Sequence, residues 1–291
     1  VVTLHDFHTT CALFFRLREE RELCAPDVDL STCASCVARA HGLDAGPLLG
    51  ALDRRQRAFA AELAQADALV CASQAQAAYW SAIPGVGARR PVVLPLPREA
   101  AIDPVPPPAV DGPLQVATWG GLVRGKGLLV LLDALRELPR GSIAVHHHGP
   151  MLDDRFAAEL DAHPLAHALT RHGPFDHASL ARAVRSYHLA VHPSLFLETH
   201  GLTTDEALDF GLPVLVPDRG APQERIGTRG ATFRVGDPHD LARVLRSVLD
   251  DRGQLERWRQ GARAAQPSLA EHLHALAALG RGPASADAEV R

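Results

Sequence analysis

Leu114-Gln-Val-Ala-Thr-Trp-Gly-Gly-Leu-Val-Arg-Gly-Lys-Gly-Leu-Leu-Val-Leu-Leu-Asp-Ala-Leu135 decides the fold of this chain. Leu114–Thr118 reads as a short buried strand, and a glycine-rich turn follows it. Leu128, Leu131, Leu132 and Leu135 then stripe one face of a helix. The same unit recurs downstream. Strands are predicted at Ser142–His146, Ala168–Arg171, Leu189–His192 and Pro213–Val216, and helices at Asp153–Ala162, Ala178–Tyr187 and Thr203–Phe210. Strands separated by helices of this length imply βαβ units, hence a parallel sheet with helices on both faces. Ligands of such sheets sit beyond the carboxyl ends of the strands, so the loops after Thr118, His148, Arg171, His192 and Val216 are expected to carry the function.

Pro91 to Pro113 is rich in proline, with Pro104, Pro106, Pro107 and Pro108 close together, and is read as an interdomain linker. Ahead of it, Val1-Val-Thr-Leu4 reads as the middle of a buried strand, a cysteine-bearing excursion follows, and then come a helix at Leu48–Ala66 and a strand at Ala68–Ala72. The expected organisation is an incomplete N-terminal domain over 1–96, a linker over 97–113, a complete doubly wound domain over 114–267, and a C-terminal helix and tail over 268–291.

Composition narrows the classes. Of 291 residues 46% are hydrophobic and 22% charged, which suits a buried core. A net charge of -4 offers no general attraction to nucleic acid, whose binding rests on Lys and Arg at phosphates. No apolar run is long enough to span a bilayer and no signal-peptide pattern opens the chain, so the expected location is cytoplasmic. Arg54-Arg-Gln-Arg57 is read as a solvated helix face, with anionic lipid at the inner membrane face as the alternative partner.

Two loops carry chemistry. In Trp119-Gly-Gly-Leu-Val-Arg-Gly-Lys-Gly127, glycines let backbone approach a phosphate, the helix start supplies N–H groups, and Lys126, the chain's one lysine, adds a point charge. The spacing is neither a P-loop nor a dinucleotide fingerprint. In Pro193-Ser-Leu-Phe-Leu-Glu-Thr-His-Gly-Leu-Thr-Thr-Asp-Glu206, Glu198 precedes a helix N-terminus and Glu206 lies inside the helix. Such carboxylates could hold sugar and ribose hydroxyls on either side of a diphosphate bound at that N-terminus. Spacing alone equally allows a capping box, Thr203-x-x-Glu206, which would employ Glu206 structurally.

Glu198 and Glu206, followed by Ala207-Leu-Asp-Phe-Gly-Leu-Pro-Val214 and Gln223-Glu224, resemble the signature of the family-4 glycosyltransferases. The glycine turn at 120–127, His5-Asp6 after an apolar strand and Ser73 after Ala68–Ala72 fit the same family. The resemblance implies a GT-B fold: two Rossmann-like α/β domains facing a cleft, here with the N-terminal one incomplete. It implies transfer of a sugar from a nucleoside diphosphate sugar to a hydroxyl acceptor with retention, and no cofactor for catalysis. By position, Lys126 matches the diphosphate lysine, Glu206 the ribose glutamate, and Glu198 the glutamate near the transferred sugar. His200, Gly201 and Leu202 match backbone reaching sugar and phosphate, with Thr203 at the same helix start, and His5 matches a histidine facing donor and acceptor. Gly120 and Gly121 belong to the phosphate turn. Gly121 stands where many members carry an arginine, and Arg124 is the candidate substitute. His147 stands where a glycine is common. A nucleotide-sugar 2-epimerase and a non-catalytic nucleotide-sugar-binding module are the rival readings.

Cys11, Cys24, Cys33 and Cys36 crowd one N-terminal stretch, and with no export signal a disulfide framework is disfavoured. Their spacing could place four thiolates around one structural zinc; four reduced thiols is the alternative.

Overall fold

The computed structural model describes residues 1–19, 21–85, 90–97, 108 and 111–280. Most of the linker expected at 97–113, and the tail 281–291, lie outside them. The chain divides into two compact units: Val1–Ala100 with Phe196–His200 and Gln266–Arg291, and Ala101–Leu195 with Gly201–Ala265.

The first unit holds a small parallel sheet of β1 (Val2–Leu4), β4 (Leu69–Cys71) and β5 (Val92–Val93), in the order β1-β4-β5. A two-stranded hairpin, β2 (Leu17–Arg18) and β3 (Glu22–Leu23), leads to helix α1 (Leu30–His41), which packs on α2 (Ala45–Gln65). Composition marked the α1 region only as a cysteine-bearing excursion, yet it is helical. Asp29 caps its N-terminus, accepting from the Thr32 amide, and Gly42 ends it in the left-handed conformation. Helix α3 (Gln74–Ser81) follows β4 and is capped by Ser73. The core gathers Leu4, Phe7, Leu63, Leu69, Trp80 and Leu197, so the segment Phe196–His200 is anchored here through Leu197. Helix α11 (Leu269–Gly280) belongs to the same unit, where His272 Nδ1 lies 2.9 Å from the Pro95 carbonyl.

The second unit is a six-stranded, all-parallel sheet of β6 (Leu114–Trp119), β7 (Ile143–His148), β8 (Leu169–Arg171), β9 (Leu189–Val191), β10 (Val214–Pro217) and β11 (Gly230–Phe233), in the order β11-β10-β9-β6-β7-β8. Alternation along β6 sends Leu114 and Val116 to one apolar layer and Ala117 and Trp119 to the other, so both faces are covered. The helices between and after them are α4 (Leu128–Ala134), α5 (Asp154–Asp161), α6 (His177–Ala183), α7 (Leu202–Asp209), α8 (Ala221–Arg225), α9 (Pro238–Asp250) and α10 (Gly253–Arg259). From β6 the chain winds outward through β7 and β8, then returns and winds the other way through β9, β10 and β11. This is the doubly wound order whose crevice opens where the direction reverses, between β6 and β9. Among the described residues no helix is long and apolar enough to cross a membrane.

Candidate functional site

The loops after β6 and β9 flank that reversal point, and they are the two loops the sequence singled out. After β6 the chain turns through Gly120 and Gly121 into a 3-10 turn, Arg124–Lys126. Gly127 follows with φ 75°, and a Cβ there would lie 1.9 Å from the Pro193 carbonyl oxygen. Only glycine fits: the position needs both the left-handed conformation and direct backbone contact with the β9 loop. The Leu195 amide donates to the Gly125 carbonyl at 2.8 Å, joining the same two loops. Lys126 is half-buried.

Helix α7 begins after Gly201, which has φ 83° and makes no side-chain cap. The first amides of a helix have no partner within it, so this end favours an anion. A Cβ on Gly120 would stand 3.8 Å from the Thr203 methyl, which places the glycine turn beside the start of α7. The capping box does not form. Gly201, not Thr203, is the cap residue, and Glu206 Oε2 instead accepts from the Trp119 indole N–H at 2.7 Å. Burial pushes the Glu206 carboxyl up, while the Trp119 hydrogen bond pulls it down. Helix α7 is also tied by Arg263, which donates to Asp209 at 2.5 Å and Asp205 at 3.1 Å, with Arg225 3.9 Å from Asp205.

The second unit therefore brings together Gly120, Gly121, Lys126, Gly201, Leu202, Thr203 and Glu206. Arg124 has another partner: its guanidinium grips both oxygens of Glu159 on α5, so contact with a phosphate would require leaving that pair. At Gly121 a Cβ would meet the Leu152 side chain at 2.6 Å. His147 is buried inside β7, with burial holding it down at about 4. His146 and His148 lie on the other face, near His172 and Tyr187. The strand continues to His148, two residues beyond the predicted Ser142–His146, so the whole histidine run lies in the strand.

His5, Glu198 and His200 fall in the first unit. There the Thr199 hydroxyl donates to the His5 carbonyl at 2.7 Å, and Phe196 stacks on Phe15 at 4.4 Å, so the segment bearing Glu198 is held beside the residues that follow β1. Glu198 is half-buried, His5 exposed and His200 buried.

Cys11, Cys24, Cys33 and Cys36 are free thiols that line one small cavity of about 30 Å³. Burial raises the thiols of Cys24, Cys33 and Cys36, Cys33 to about 11. Among the described residues no three His, Cys, Asp or Glu side chains are arranged to hold a metal ion.

Trp119 and His192 are site residues that the sequence reading did not select. Trp119 sits just before the glycine pair, but its partner Glu206 is 87 positions away, and nothing local announces the bond. His192, directly after β9, packs edge-on against Trp119 with ring centroids 4.7 Å apart. Among the described residues neither of its ring nitrogens has a hydrogen-bond partner, and burial holds it down at about 3.

Comparison with known proteins bears on this arrangement. The family described as Glycosyl transferases group 1 matches residues 102–265. No curated protein matches the chain. Among solved structures, sucrose-phosphate synthase from Thermosynechococcus elongatus superposes with a TM-score of 0.60 at 22% identity, over 72% of this chain and 55% of that one. HepE from Anabaena in complex with UDP-glucose gives 0.64 at 18% identity, over 78% and 68%. TarM from S. aureus, in complex with UDP and other ligands, gives 0.56 at 14% identity, over 71% and 41%. The chain thus spans about half the length of the synthase and less of TarM. The shared fold is the GT-B glycosyltransferase fold. With residues 102–265, more than half of its length, matching the family, this chain belongs to the group 1 glycosyl transferases.

Proposed function

We propose that the chain transfers a sugar from a nucleoside diphosphate sugar to a hydroxyl acceptor, with retention of configuration, as a family-4-type enzyme. The observation that carries this reading is the convergence of the glycine turn and the start of α7 at the reversal point of the sheet. HepE, of the same fold, has been solved with UDP-glucose, which supports a nucleotide-sugar donor. In this account Lys126 and the first amides of α7 stabilise the charge that develops on the leaving diphosphate, an electrostatic contribution made strongest where water is excluded. Glu206 holds ribose hydroxyls. Glu198, with the backbone of His200 to Leu202, faces the transferred sugar, and His5 faces donor and acceptor. Same-face attack assisted by the leaving phosphate accounts for retention, so no protein nucleophile is assigned, and no metal takes part in the transfer.

Lys126→Ala tests the electrostatic part. Loss of a charged hydrogen bond is expected to weaken nucleoside diphosphate binding by about 1.5–3 kcal/mol, roughly 10- to 150-fold, with the melting temperature of the free protein little changed. Calorimetry that finds the same affinity in a folded variant removes Lys126 from the site.

A structural zinc at Cys11, Cys24, Cys33 and Cys36 is a separate proposal, supported by the cavity the four share. The thiols would have to rotate toward one another to close the site. Elemental analysis is expected to find about one zinc per chain. Metal-free protein with four titratable thiols in its native state rejects it.

A further inference from the structure

The hydrogen bond from Trp119 Nε1–H to Glu206 Oε2 at 2.7 Å joins the end of β6 to helix α7 through side chains. The indole is 3% exposed and its orientation is set from two sides. His192, directly after β9, meets it edge-on at 4.7 Å, and Phe210, at the end of α7, meets it edge-on at 6.4 Å. A ring held this way is a rigid donor. It fixes one carboxylate oxygen of Glu206 and leaves Oε1 as the acceptor for an incoming hydroxyl. Glu206 does not cap its helix, so helix geometry does not explain why its carboxylate is held.

We propose that Trp119 is the positioning residue for Glu206, holding the carboxylate so that it selects nucleotides by the vicinal hydroxyls of their ribose. This rests on the reading above in which Glu206 faces the ribose. Two effects follow from the bond. A carboxylate tethered at one oxygen presents the other at a fixed place, which a geometric requirement such as a cis-diol exploits. An N–H donor also favours the ionised carboxylate, which accepts hydrogen bonds far better than the acid. The other groups bearing on Glu206 are His177 at the start of α6, which favours ionisation, and Asp205 and Asp209 on α7, which oppose it; burial opposes it most. Removing the indole N–H therefore leaves the opposing influences in place and moves ionisation to higher pH.

Trp119→Phe removes the donor and keeps an aromatic ring. Binding is measured by calorimetry from pH 5 to 8 with UDP, GDP and ADP, and the tightest of these is compared with its 2′-deoxy counterpart. The expected result is about 10-fold weaker binding of the ribonucleotide, little change for the deoxynucleotide, and an acidic limb of the binding profile displaced to higher pH. A second measurement needs no change at Trp119. The chain has three tryptophans, so three indole N–H signals are resolvable by NMR. That of Trp119 is expected to follow a carboxyl titration in the unmutated protein and to lose it in Glu206→Gln. An unmutated protein that binds none of the three nucleotides refutes the nucleotide-sugar reading, and this inference with it. Normal binding with an unchanged ribose preference and pH limb in Trp119→Phe refutes the role of Trp119 alone. So does an indole signal indifferent to pH and to Glu206→Gln, which settles the matter if the phenylalanine variant does not fold.

Discussion

Arg263→Ala is expected to lower the stability of the protein by about 3–5 kcal/mol, the usual cost of removing one partner from a buried ion pair. Arg263 donates to Asp209 at 2.5 Å and to Asp205 at 3.1 Å, and all three side chains are 12–14% exposed. Taking the guanidinium away leaves two carboxylates on successive turns of α7 without the donor they share, in surroundings that screen charge poorly. The consequence reaches the site, because α7 carries both the anion-favouring start and Glu206. A shift in the urea midpoint at an unchanged slope checks the energy. Arg263→Lys is expected to recover only part of the loss, since one ammonium cannot reproduce the planar fork. A variant as stable as the parent would show that this cluster does not hold the helix.

Acid is expected to have the second large effect. Burial holds His147 down at about 4 and His192 at about 3, both 7% exposed or less, whereas an unfolded histidine titrates near 6.5. The folded chain therefore keeps these rings neutral while the unfolded chain takes up protons. Their contribution is present in full above pH 6.5 and is lost as the pH falls toward 4, at about 1.4 kcal/mol per unit for each ring. Between pH 6.5 and 5 the two together amount to about 3 kcal/mol. Glu206 runs the other way, because a raised carboxyl is relieved as the pH falls, and it offsets a part. Urea unfolding at pH 7, 6 and 5 checks the slope, and His192→Leu is expected to flatten it. A flat profile in the unmutated protein would contradict the burial of these two rings.

Regular alternation made the second unit legible. Strands predicted at Leu114–Thr118, Leu189–His192 and Pro213–Val216 differ from the observed β6, β9 and β10 by a residue or so, because each is a short, mostly buried run with a glycine or proline beside at least one end. The glycine turn was legible for a local reason, the left-handed φ of 75° at Gly127, whereas the contact with the Pro193 carbonyl on the β9 loop that also demands glycine there was not. Long-range pairing was not legible. The hydrogen bond that removes Glu206 from a capping role links residues 87 positions apart, and the pair that engages Arg124 depends on Glu159 in the next βαβ unit. The first unit was harder still. Its α1 has only Ala34 and Ala38 buried, so it lacks the large apolar stripe that reveals α4, and its caps, Asp29 and Gly42, are the sequence signals it carries.

In the proposed function the reversal point between β6 and β9 binds the diphosphate of a nucleotide sugar. Isothermal calorimetry with UDP, GDP and ADP, each set against its free nucleoside, tests it most directly. At least one diphosphate is expected to bind, and its nucleoside far more weakly, because Lys126 and the start of α7 act on the phosphates. Lys126→Ala is expected to bring the diphosphate down toward the nucleoside. Folded protein that binds no diphosphate, or binds nucleoside and diphosphate equally, would contradict it.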